Sequence, residues 1–237
     1  MIGNLISPCV ALVLTVVAPV RGQDETLLVR NPTRSADALC FTYAGDLWLA
    51  RPDGSDARRL TVLPTVESDA HFSPDGGWIA FTGQYAGNLD VYVIGVQGGD
   101  PLRLTYHPGP DQVRGWSSDG QRVLFGSARD SATRIERLWM VERTGGFPVA
   151  LPLPMAEHGA FAPDGRRLAY TPIADAFGTW KRYRGGMSGG IWIFDSWTHE
   201  IEKIPRDRSN DTLPVWVGET VYFLSDRSRA MNVFAYD

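Results

Sequence analysis

Phe72-Ser73-Pro74-Asp75-Gly76, continued by Trp78-Ile79-Ala80-Phe81 and Asp90-Val91-Tyr92-Val93-Ile94, is the stretch that decides the fold. In its turn the proline presets φ, the glycine closes the reversal and the aspartate can bond nearby backbone. The apolar runs that follow are short and bounded by polar residues, as buried strands are. The same unit returns as Trp116 to Phe125 and Phe161 to Tyr170, with starts at 72, 116 and 161, intervals of 44 and 45. A period of roughly 40 to 50 residues made of short strands marks a propeller blade.

Two weaker copies flank these. Upstream, Leu39-Cys40-Phe41-Thr42-Tyr43 and Asp46-Leu47-Trp48-Leu49-Ala50 reproduce the middle strands, with Asn31 to Asp37 in place of the usual turn. Downstream, Trp216 to Phe223 repeats the pattern after a longer interval, from 161 to 216. A third strand is expected in every copy: Leu47–Ala50, Val91–Ile94, Leu138–Val141, Ile191–Phe194 and Val233–Tyr236. Glycine turns then lead to a fourth, as at Arg58–Thr61 and Leu102–Thr105. The expectation is an all-β propeller of four-stranded antiparallel blades, four complete and a fifth partial, because Asp237 follows directly on the third strand of the fifth copy. No blade buries its apolar faces alone, so the array must supply the core.

Composition bounds the function. A content of 43% hydrophobic and 21% charged residues is that of a globular chain, and a net charge of −4 without a basic cluster argues against a nucleic-acid partner. Residues 1–22 read as a signal peptide and 23–237 as the propeller domain. Leu5 to Val20 is almost wholly apolar but, at 16 residues, is shorter than the ~20 a spanning helix needs, and Val20-Arg21-Gly22 offers a cleavage site. A periplasmic or secreted location follows, with an uncleaved membrane anchor as the alternative. Loss of Cys9 with the signal would leave Cys40 alone in an apolar strand, as a small core residue.

The longest connection inside a blade runs from Tyr170 to Ile191 and interleaves Trp180, Lys181, Arg182, Tyr183 and Arg184. These residues leave two readings open: a solvated hairpin whose cationic stems cover the aromatics, or a surface for the carboxylate or backbone of a peptide. The same loop holds Gly186-Met187-Ser188-Gly189-Gly190, which satisfies G-x-S-x-G but opens a strand where a nucleophile elbow must open a helix. Asp195 and His199 stand too close in sequence to supply an independent base. His71, His107, His158 and His199 share no metal-ligand spacing; His71 and His158 fall just before inner strands, where packing accounts for them. Neither a cofactor, a metal site nor a catalytic residue is expected here.

The repeat resembles the WD40-like repeats shared by the TolB family and the tricorn proteases. Three stretches resemble the N-terminal propeller of tricorn-type serine proteases more specifically: Tyr43 to Trp48, Trp180 to Gly186, and Trp216-Val217-Gly218 with Val221 to Arg227. The resemblance implies a six-bladed ring, of which this chain would be a truncated part. It further implies a second propeller, a PDZ-like module and a catalytic core with a serine nucleophile farther along the same parent chain, and peptide substrates. It leaves homo-oligomerisation of the full-length protein open. On this reading the domain gates substrate or channels product, and cleavage happens elsewhere. The resemblance also implies arginines between the second and third blades that hold a substrate carboxylate; here Thr105 to Val113 is short and only Arg114 follows. The alternative readings are a TolB-like periplasmic protein-binding propeller with no enzymatic role and, with less support, the propeller of a prolyl-oligopeptidase-type enzyme.

Overall fold

The computed structural model describes residues 28–63, 65–174 and 183–237. The proposed signal segment and residues Trp180, Lys181 and Arg182 lie outside them. Every element among the described residues is a strand, and among those residues no helix is long and apolar enough to cross a membrane.

The strands form five sheets in chain order. Blade 1 comprises β1 (Arg30–Arg34), β2 (Leu39–Tyr43), β3 (Asp46–Ala50) and β4 (Arg58–Arg59). Blade 2 comprises β5 (Glu67–Phe72), β6 (Trp78–Gly83), β7 (Asp90–Gly95) and β8 (Leu102–Arg103). Blade 3 comprises β9 (Asp111–Trp116), β10 (Arg122–Ser127), β11 (Arg137–Glu142) and β12 (Val149–Ala150). Blade 4 comprises β13 (His158–Phe161), β14 (Arg167–Thr171), β15 (Trp192–Asp195) and β16 (Ile201–Lys203). Blade 5 has three strands, β17 (Asp211–Val217), β18 (Thr220–Ser225) and β19 (Asn232–Tyr236). Within each sheet the order follows the sequence and all pairings are antiparallel. The expected count of four blades and a partial fifth is therefore what the chain forms.

The second strand of a blade is buried on both faces, and its alternation decides which neighbour each residue meets. Ile79 and Phe81 pack with Cys40, Leu47 and Leu49 of blade 1. Ala80, between them, packs with Val113, Val123 and Phe125 of blade 3. Leu124 turns instead to Leu168 and Tyr170 of blade 4, and Ala169 to Val221 and Phe223 of blade 5. The apolar core is thus four clusters, one at each junction between consecutive blades.

The Asp-Gly turns register these junctions. Ser73 Oγ accepts from Trp78 N at 3.0 Å and Asp75 Oδ1 accepts from Gly77 N at 3.0 Å; Ser117 and Asp119 repeat the pattern with Arg122 N and Gln121 N. Gly76, Gly120 and Gly165 take φ of +69°, +66° and +71°, which favours glycine. A Cβ on each would also meet the preceding blade: Ser35 Cβ at 3.4 Å, Pro74 Cδ at 3.3 Å and Ser118 Oγ at 2.5 Å.

Candidate functional site: the axial cavity

The inner strands β1, β5, β9, β13 and β17 stand side by side around the axis. Four of them are bulged, at Arg30/Thr33 in β1, Ser68/His71 in β5, Val113/Gly115 in β9 and Thr212/Val215 in β17. At matching points Asn31, Asp69 and Leu213 adopt φ of +48°, +50° and +52°. A bulge adds a residue to one strand and re-aims the side chains around it. Between β5, β9, β13 and β17 lies a cavity of about 380 Å³, with Asp69, His71, Arg114, His158, Leu213 and Trp216 in its wall.

His71 and His158 belong to the inner strands themselves, where the sequence reading placed them just ahead. His71 stands one residue before its strand's closing aromatic, Phe72, and His158 stands three before Phe161. Offsets of one and three differ by two, which keeps both on the same face, toward the cavity. Burial there pulls each imidazole from 6.5 down to about 4, with Arg114 pushing the same way. Among the described residues nothing hydrogen-bonds either ring; the partnered group is the His71 carbonyl, which accepts from Trp116 Nε1 at 2.9 Å.

Arg114 is the bulged residue of β9, and its guanidinium points into the wall. Nε donates to the Glu157 carbonyl at 2.7 Å, and Nη2 donates to Gln112 Oε1 at 3.0 Å and to Glu136 Oε2 at 3.2 Å. Its side chain is 8% exposed. Gly126 makes the room, since a Cβ there would lie 2.6 Å from Glu136 Oε2. Burial, and then the Glu136 charge, raise the Glu157 pKa against the opposing pull of Arg114. Asp69 accepts from Ser68 Oγ at 2.9 Å and has no ion-pair partner among the described residues.

The loop singled out in the sequence meets blade 5. Arg184 Nη1 donates to Asp226 Oδ2 at 2.6 Å, and Asn210 Nδ2 donates to the Tyr183 carbonyl at 2.9 Å. Neither Tyr183 nor Arg184 shares the cavity that Arg114 lines. Ser188 of the G-x-S-x-G stretch donates its hydroxyl to the Gly185 carbonyl at 2.7 Å. Asp195 pairs with Arg166, and the His199 ring stacks on Phe194. Asp69 and Leu213 line the cavity and were passed over by sequence reasoning. The available signal was the place of Asp69 three residues before Phe72, the offset at which Leu213 precedes Trp216 and His158 precedes Phe161.

Residues 26–237 match the family described as "Tricorn protease N-terminal beta propeller domain". The chain belongs to that family. It is 35% identical over 203 residues to "Tricorn protease homolog 1" of Streptomyces coelicolor, covering 84% of this chain and 19% of the relative. The crystal structure of the tricorn protease superposes with a TM-score of 0.78 at 28% identity, over 89% of this chain and 21% of that one. The chain thus spans about a fifth of the length of the tricorn proteins it matches. The structure of a TolB described as putative, from Agrobacterium tumefaciens, reaches a TM-score of 0.72 at 20% identity, over 89% and 77%, a likeness of fold alone.

Proposed function

We propose that this tricorn-family propeller guides peptides to or from the enclosed site of an exported serine peptidase, gating passage and leaving cleavage to other domains of the same parent chain. The observation that supports it is the axial cavity, walled by four inner strands and lined with ionisable side chains, in a chain of this family. The apolar stretch from Leu5 to Val20 supports export.

Plugging the channel tests the reading. Ala160 lines the cavity from β13, and Ala160→Trp would fill much of it. In the full-length protein carrying this propeller, the substitution should slow hydrolysis of peptides of a dozen residues several-fold relative to a dipeptide-sized substrate. An unchanged ratio, with the variant melting as the parent does, removes passage through this channel.

A further inference from the structure

The charges around the cavity do not suit a carboxylate ligand. Its wall carries two charged side chains, Asp69 and Arg114. The Arg114 guanidinium is turned into Gln112, Glu136 and Glu157, so its donors are already engaged inside the wall. Asp69 is left without a cation, in a left-handed backbone conformation fixed by the β5 bulge. Such a conformation is unfavourable for an L-residue and is tolerated best by Asn and Asp. Strain of this kind persists where the surroundings impose it, and it collects at ligand sites. The imidazoles of His71 and His158 line the same space with no hydrogen-bond partner for either ring among the described residues, and the Asp69 carboxylate acts on both. Held neutral by burial, each presents a ring nitrogen lone pair that can accept from an N–H donor.

We infer that Asp69, His71 and His158 form a subsite for an alkylammonium group, the free amino terminus or a lysine side chain of a peptide in the axial channel. Asp69 supplies the counter-charge and the two imidazoles take ammonium protons, while Leu213 and Trp216 on β17 offer apolar contact to the adjoining chain. This rests on the reading that peptides occupy the channel, and sharpens it: the end recognised is the cationic one.

The test is calorimetric titration of this chain with four short peptides: trialanine amide, acetyl-Ala-Lys-Ala amide, acetyl-trialanine with a free carboxylate, and acetyl-trialanine amide. At least one of the first two should bind about tenfold more tightly than acetyl-trialanine amide, the scale of a hydrogen bond to a charged group. Which of them binds identifies the amino terminus or the lysine. Asp69→Asn, nearly isosteric, should abolish the preference with the urea midpoint unchanged. Tightest binding by the free carboxylate, or a preference that survives in Asp69→Asn, overturns the ammonium subsite; if Ala160→Trp blocks that binding, the channel reading still stands. Failure of all four to bind, or binding indifferent to Ala160→Trp, overturns both.

Discussion

Arg114 of β9 closes on blade 4 by donating from Nε to the Glu157 carbonyl at 2.7 Å. The same guanidinium pairs with both Glu136 and Glu157, so one side chain joins two blades and offsets the charges of two carboxylates. Arg114→Met should leave both acids unmatched in a half-buried setting. The expected loss is about 1–3 kcal/mol, the cost of leaving partly buried polar groups without their partner. Urea unfolding measures it, and a loss below about 1 kcal/mol would show that solvent already screens the cluster.

Gly165→Ala meets two obstacles that can be separated. One is the φ of +71°, and the other is Ser118 Oγ, 2.5 Å from the new methyl group. The single substitution should cost about 1–2 kcal/mol from the left-handed backbone alone, with the contact adding to it. Adding Ser118→Ala should restore the contact part and leave the backbone part. Equal stability of the single and double variants would mean that the Ser118 hydroxyl simply swings away.

The cavity histidines should give stability a pH dependence whose sign follows from their burial. In the folded chain both stay neutral down to about pH 4, whereas their ordinary value is 6.5. Between those limits the unfolded chain binds more protons, so stability falls as the pH drops from 6.5 towards 4, by up to about 1.4 kcal/mol per pH unit for each ring. The raised carboxyls of Glu67 and Glu157 act in the opposite direction, holding their protons more tightly in the folded chain. Comparing the urea midpoints of wild type and His71→Gln/His158→Gln at pH 7 and pH 5 isolates the imidazoles. A variant that loses as much stability as wild type over that interval contradicts the assignment.

Cys40 is fully buried in the junction between blades 1 and 2, and burial pushes its thiol up to about 12. Thiolate is the reactive form, so the native chain should resist alkylation. In a Cys9→Ser background, iodoacetamide should modify Cys40 only at denaturant concentrations that open the junction. Rapid labelling in buffer would place the thiol at a surface.

The blade repeat was legible because turn chemistry and strand burial recur with a constant spacing, as Phe72 to Phe81 and its sister copies show. The channel was less so. Nothing in the residue type announces that Leu213 takes a positive φ, a conformation that inner-strand crowding imposes on a residue that otherwise avoids it. The partners of buried acids were hidden for a related reason, since they depend on strand register. Arg129 reaches Asp111 at 2.6 Å and Arg227 reaches Asp211 at 3.0 Å, each also donating to the serine two residues before it, Ser127 and Ser225. The sequence displays Ser-x-Arg in both blades, but only the fold shows that it holds an aspartate at the start of the inner strand. Arg184 was visible as a cation in an unusual loop, and its use by Asp226 was not, because those residues meet across a blade boundary.

The four apolar clusters carry a consequence for how this molecule can vary. Ile79 and Ala80 are neighbours in sequence yet belong to different clusters, one facing backward along the chain and the other forward. Damage to one should therefore leave the other's seam intact, and pairs of substitutions so placed should be nearly additive despite their adjacency. Heredity in such a molecule acts on seams: a blade can be exchanged only together with the two surfaces that receive it, whereas a residue turned to the axis can be rewritten alone.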